Sequence, residues 1–275
     1  MGTEIELLVE AGEAACALAS AEEEFHRLEG LLSRFRADSE LSRLNAAGTL
    51  TAGPDLLRVV ELALAANERT DGRFDITVHD ALVAAGYDRS FELVAADDAT
   101  PLRPPAQRSG GIRVREGVVS LDPGVRLDFG GIGKGFACER AAEILGTAGP
   151  CLVNAGGDIA TRAGVWTVSI ETSGEPLTLE LSGGSALATS GRDSRRWRRG
   201  RRELHHLIDP ATGVPSESDL LRVTAVAHDA VAAEVAAKAL FLAGTDAACE
   251  EADRLQIPAV LVTRTGRTIR VGGLA

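Results

Sequence analysis

Three short stretches of this 275-residue chain hold residue types and spacings suited to chemistry. In Leu127-Asp128-Phe129-Gly130-Gly131-Ile132-Gly133-Lys134-Gly135, a strand-like start runs into four glycines and a lysine, and an alanine-rich helical pattern follows. Glycine lets a backbone come close to a ligand, and the N–H groups that open a helix attract anions. The spacing is neither G-x-G-x-x-G nor G-x-x-x-x-G-K-[ST]. It reads either as a phosphate-binding turn or as a plain strand–helix connection with a solvated lysine. His206 and Asp209 stand three residues apart before a Pro–Ala–Thr–Gly turn, as a base and its orienter or as turn-forming residues. Glu234 and Lys238 are the only charges between Ala230 and Ala243. They read as an exposed i,i+4 pair, worth about 0.2–0.5 kcal/mol, or as site residues, because a helix apolar all round is buried and buried charges need partners.

One bias connects two of these stretches. Lys134 and Lys238 are the only lysines among 29 basic residues. Lysine's compact ammonium and arginine's planar fork are not equivalent beside a phosphate, so both lysines are candidate ligand contacts.

The elements that must position these groups alternate in type. Ile5, Leu7 and Val9 recur at alternate positions among acidic residues as in a strand, and Leu18, Phe25, Leu28 and Leu32 recur at helical spacing within 14–35. Asp38-Ser39-Glu40 opens a short capped turn, and Pro54-Asp55 starts a second helix with Leu56, Val60 and Leu64 on one face. Asp71–Thr77 breaks that periodicity as a tight turn, 96–110 reads as a surface loop, and 112–121 as a hairpin through Glu116-Gly117. A helix over 137–145 and a buried strand over 151–154 lead to a second Gly/Asp turn, Ala155-Gly156-Gly157-Asp158. Strands follow at 166–171, 177–181, 188–191 and 221–227, helices at 230–243 and 246–255, and a closing hairpin over 259–271. The seven arginines between Arg192 and Arg202 read as a solvated hairpin turning at Gly200, with the alternative of a nucleic-acid patch. The mixture predicts one α+β domain over 1–275.

Composition narrows the function. A net charge of −11 argues against general binding to nucleic acid or anionic membranes. Cys16, Cys138, Cys151 and Cys249 form no C-x-x-C, so neither a disulfide framework nor a zinc site is expected. No apolar run is long enough to span a membrane, and no signal peptide is visible, so a cytoplasmic protein is expected.

Taken together, the motifs resemble the FAD:protein FMN transferase (ApbE-type) family. The blocks are M-G-T at the start, S-R-F-x-x-x-S-E-L-S-R-L-N at 33–45, G-x-F-D-I-T at 72–77 and L-D-F-G-G-I-G-K-G-F-A at 127–137. N-A-G-G-D-I at 154–159, A-T-S-G at 188–191 and H-x-x-D-P-A-T-G at 206–213 complete the series in the family's order. The resemblance implies a T-fold-like α+β domain, with largely antiparallel sheet and FAD in a cleft between its halves. It implies transfer of FMN from FAD to a threonine of a target flavoprotein, with release of AMP and use of Mg²⁺. Met1, Phe35, Arg73, Phe74, Asp75, Asp128, Lys134 and Ile208 would then line the FAD site, and the Gly131 carbonyl would hold metal. His206 would move the threonine proton, with Asp209 beside it.

One position departs from that pattern. Where the family carries A-D-x-x-x-T, with Asp and Thr on the metal, this chain has Ala233-Glu234-x-x-x-Lys238. Glutamate keeps a carboxylate, but a protonated lysine cannot ligate Mg²⁺. The expectation is an ammonium near the metal position, paired to Glu234, with no tightly held Mg²⁺. A flavin-binding protein without catalysis, or an FAD pyrophosphatase, is the alternative function.

Overall fold

The computed structural model describes residues 2–95 and 111–274. Met1 and the loop expected over 96–110 lie outside the described residues. The rest is α+β, as expected. Seven strands form one sheet in the order Ile5–Val9, Cys151–Ala155, Asp158–Arg162, Ala186–Gly191, Leu220–Ala227, Ala259–Thr263 and Thr268–Val271. Every neighbouring pair is antiparallel.

Both faces of this sheet are covered, and the strands show why. In Cys151–Ala155, the odd positions Cys151, Val153 and Ala155 enter the core beneath the helices, while Leu152 enters a cluster on the opposite face. Ala259 and Leu261 likewise face one way, and Val260 and Val262 the other. Side chains alternate across a strand, so two buried faces demand a continuous apolar run. The opposite face is closed by a hairpin of Val165–Ile170 and Leu177–Ser182.

Helices α1 (Ala15–Leu32), α2 (Glu40–Ala47), α3 (Pro54–Arg69), α4 (His79–Ala84), α5 (Gly133–Leu145), α6 (Ala230–Ala243) and α7 (Thr245–Leu255) surround the helical side. Ser39 caps α2 by accepting from Ser42 N at 3.0 Å, as its sequence position predicts. Helix α5 starts four residues earlier than its apolar pattern suggests, because Gly133-Lys134-Gly135 is its first turn. Gly135 is needed there. A Cβ at that position would come within 2.6 Å of the Ala230 carbonyl oxygen, so α5 meets α6 at backbone distance. The arginine-rich stretch is a hairpin, Arg196–Arg199 with Arg202–His205, turning at Gly200 as expected.

The residues before α5 are not a strand, contrary to the strand-like reading of Leu127–Phe129. Their backbone is satisfied without a partner strand. Leu127 N donates to Asn45 Oδ1 at 2.7 Å, Asn45 Nδ2 donates to Leu127 O at 2.9 Å, and Asp128 N donates to Ile76 O at 2.8 Å. One asparagine on α2 thus does the work of a strand neighbour. Leu127 is fully buried, so Asn45→Ala leaves a buried N–H and C=O without partners. The expected loss is about 1–3 kcal/mol of unfolding free energy, measured by denaturant titration. An unchanged midpoint would mean that water replaces the amide.

Candidate active site

Five separate segments converge on one cavity of about 300 Å³. They are the turn after α1, the turn between α3 and α4, the loop after α4, the glycine stretch opening α5, and the segment after the arginine hairpin; α6 adds Lys238. Of the residues singled out in the sequence, Phe35, Arg73, Asp75, Asp128, Lys134, His206, Ile208 and Lys238 line it.

Asp128 is held at the rear by Arg34. Arg34 Nε lies 2.5 Å from Asp128 Oδ2, and Gly130 N donates to Oδ1 at 2.8 Å. The same guanidinium donates to Tyr87 O at 2.7 Å and lies 4.2 Å from the Phe35 ring centroid and 4.7 Å from that of Tyr87. Phe35, Tyr87 and Phe91 form the aromatic wall, with Phe35 39% exposed and thus available for stacking on a planar group. Tyr87 packs on Trp197, whose Nε1 donates to Ala85 O at 2.8 Å, so the arginine hairpin supports this wall.

Asp75 shapes the next side. Its Oδ1 accepts from Thr77 N and Thr77 Oγ1, both at 2.7 Å, capping the single turn Ile76–Val78. Oδ2 is buried without a partner among the described residues. Burial holds this carboxyl above the ordinary aspartate range, only partly offset by the two donations. Arg73 is oriented by Glu251 Oε2, 2.5 Å away, and by Thr70 O at 3.2 Å.

Lys134 forms a close ion pair with Asp158, which is fully buried at the start of its strand. Glu234 Oε1 lies 3.6 Å from the same ammonium, and Oε2 accepts from Gly135 N at 2.9 Å. The expected Glu234–Lys238 pair is therefore not made; Glu234 turns to Lys134 and the start of α5. Lys238 instead lies against the α-carbon of Gly131, where a Cβ would sit 1.6 Å from Nζ, and 5.6 Å from the ring centroid of buried Phe74. Burial lowers its pKa below the ordinary lysine value, while Glu234 and Asp128 pull the other way.

The Mg²⁺ that the family resemblance implies does not fit the donors present here. Glu234 is already engaged by Lys134 and a backbone N–H, and an ammonium lies against Gly131. No group of three or more His, Cys, Asp or Glu able to hold an ion occurs among the described residues. The donor set of Gly131, Glu234 and Lys238 does not fit Mg²⁺, which needs oxygen ligands in near-octahedral array.

His206 lines the cavity, and its Nδ1 is buried without a partner among the described residues. Its pKa is pushed well below the ordinary histidine value, first by burial and then by Arg195 and Lys238. It is a neutral imidazole at pH 7. Asp209 does not orient it. Its Oδ1 accepts from Ala211 N at 2.8 Å and its carbonyl from Gly213 N at 2.8 Å, so this carboxylate builds the turn rather than a dyad. Sequence reasoning missed Arg34, Tyr87 and Asp158 as site residues. The only tyrosine of the chain, and an aspartate inside the second glycine turn, were the signals that could have found two of them.

His205 belongs elsewhere. Its Nε2 donates to Ser216 O at 2.9 Å, its Nδ1 accepts from Leu207 N at 3.3 Å, and it borders a second hollow with Arg192 and Arg264. Burial, then Arg192, brings its pKa down to about 4. Between pH 6.5 and 4 the unfolded chain binds a proton that folded His205 refuses, so stability falls as pH falls. The contribution amounts to roughly 3 kcal/mol across that window. Denaturation of His205→Gln should show a flatter acid limb than the unsubstituted chain; parallel limbs would assign the slope to other groups.

The chain resembles known proteins in sequence and in fold. The ApbE family matches residues 1–261. The FAD:protein FMN transferase of Klebsiella pneumoniae (strain 342) is 27% identical over 253 residues, covering 86% of this chain and 79% of that protein. Its namesake from Escherichia coli (strain K12) is 26% identical over 272 residues, covering 87% and 74%. Among solved structures, the ApbE protein of Thermotoga maritima superposes with a TM-score of 0.86 at 24% identity, covering 98% of this chain and 94% of that one. The flavin transferase ApbE of Vibrio cholerae does so with 0.79 at 23% identity, again covering 98% and 94%. With the ordered motifs, the shared fold and a match over nearly its whole length, the chain belongs to the ApbE family.

Proposed function

We infer that this chain is an FAD:protein FMN transferase, moving FMN from FAD to a threonine hydroxyl of a target flavoprotein. One observation carries the reading: a single cavity joins an aromatic wall, several cations and a neutral imidazole with an unpartnered nitrogen. A flavin nucleotide needs these features together. Phe35 and Tyr87 suit its planar rings, and Lys134, Lys238, Arg34 and Arg73 supply positive charge for the pyrophosphate. The relatives named FAD:protein FMN transferase support the assignment of substrate.

The chemistry then balances. The threonine oxygen attacks the phosphorus on the flavin side of FAD and forms a new P–O bond. The bridging P–O bond breaks, and AMP leaves with its electron pair. The hydroxyl proton passes to His206, whose Nδ1 has no partner among the described residues. The cations offset the charge that grows on the pyrophosphate oxygens. Water in place of threonine would give FMN and AMP, and the departure at Lys238 keeps that hydrolytic reading in play.

Two outcomes follow. A titration read by flavin fluorescence should show tighter binding of FAD than of FMN, because only FAD places both phosphates among the cations; equal affinities would remove the dinucleotide reading. His206→Ala should keep FAD affinity and lower transfer about 10²–10⁴-fold, the usual worth of a positioned acid–base group. Covalent flavin on a threonine-bearing acceptor, followed by mass, reports the transfer. Unchanged transfer would move the proton to another group.

A further inference from the structure

The two lysines of the chain meet this cavity from different helices, and their surroundings are unlike. Lys134, in the first turn of α5, has Asp158 as its partner and Glu234 within 3.6 Å. Lys238, in the middle of α6, has no ion pair within 4.0 Å and no hydrogen bond among the described residues. Its neighbours are the Gly131 α-carbon and the Phe74 ring. The carboxylates nearest in charge terms are already engaged. Glu234 is held by Gly135 N and Lys134, and Asp128 by Arg34 and Gly130 N. A half-buried ammonium without an acceptor is costly, and this one faces a cavity rather than packed protein. What it lacks is an anion.

We propose that Lys238 is the protein's own counter-charge for the FAD pyrophosphate, acting together with Lys134, and that this site binds and cleaves the pyrophosphate without a divalent metal ion. The proposal rests on reading the cavity as an FAD site. Two ammonium groups from separate helices can flank a diphosphate as a divalent ion would, each giving charge-assisted hydrogen bonds to non-bridging oxygens. A metal ion would have to displace this arrangement. It would meet the Lys238 charge at close range and compete with Lys134 for Glu234. Leaving AMP carries its negative charge into the same field, so the ammonium that binds the ground state also stabilises the leaving group.

The test compares binding with and without metal. The unsubstituted protein, stripped with EDTA, should bind FAD and ADP as tightly as it does in millimolar Mg²⁺, and transfer to an acceptor should survive EDTA. Lys238→Met keeps the stem, stays uncharged, and should weaken FAD and ADP binding about 10- to 100-fold, the worth of hydrogen bonds to a charged group. Riboflavin, which has no phosphate, should bind the variant nearly as before, which separates lost charge from a disturbed pocket. If FAD binds the stripped protein only after Mg²⁺ is added, the proposal is overturned while the FAD site stands. If Lys238→Met binds FAD and ADP like the unsubstituted protein, Lys238 is a packing residue and the proposal is again overturned. Should that variant not fold, the EDTA comparison on the unsubstituted chain decides alone. If FAD binds under neither condition, the flavin transferase reading falls, and this inference with it.

Discussion

The site depends on a buried electrostatic junction where α5, α6 and the central sheet meet. Asp158 is fully buried at the start of its strand, Lys134 reaches it from the first turn of α5, and Glu234 joins from α6. Taking three charges out of water is costly, and mutual pairing is the condition on which they are tolerated. Glu234 also accepts from Gly135 N, and Gly135 has no side chain because the Ala230 carbonyl occupies that space. Charge and close packing therefore select the same helix–helix register. Once that register is set, Lys238 is placed one turn further along α6, over Phe74 and against Gly131.

The second constraint is the supply of positive charge in an acidic protein. The chain carries a net −11, yet its cavity is lined by Arg34, Arg36, Arg73, Lys134, Arg195 and Lys238. Three of these six are fixed by particular partners: Arg34 by Asp128 and Tyr87 O, Arg73 by Glu251, Lys134 by Asp158. Fixed cations need little reorganisation when charge develops on a substrate, and a net negative surround discourages other anions. The arginine hairpin contributes by packing. Trp197 and Arg199 bond the carbonyls of Ala85 and Ala84 and so hold Tyr87 in the aromatic wall.

Much of this was legible in the residues because the relevant signals are local. Alternating apolar positions marked the edge strand Ile5–Val9, a continuous apolar run marked Cys151–Ala155, Ser39 marked a helix start, and Gly200 marked the hairpin turn. Charges on an apolar helix marked Glu234 and Lys238 as site candidates. What escaped was pairing at long range. Glu234 and Lys238 look like partners at i,i+4, but Lys134, one hundred positions earlier, competes for the same carboxylate and wins. Asp209 looks like an orienter for His206, but nearby N–H groups of its own turn are closer. Leu127–Phe129 looks like a strand, yet Asn45, some eighty residues away, satisfies its backbone. Spacing reports which groups can meet within one element; it does not report which more distant group arrives first.

The same cations carry a second consequence through His206. Arg195 and Lys238 both depress its proton affinity, adding to the effect of burial, so the imidazole waits in its neutral, basic form. A pyrophosphate entering among those cations offsets their field at the ring. In the reaction proposed here the ring would therefore gain proton affinity as the anion arrives, when a hydroxyl proton must be accepted. As AMP leaves, negative charge would depart, the cations would again face the ring uncompensated, and an imidazolium there would be driven to release its proton. On this reading phosphate binding and proton transfer would be coupled through shared charges, without any hydrogen bond between His206 and a carboxylate among the described residues. A site built this way needs no orienting aspartate, and in this chain Asp209 is free to serve as a turn residue instead.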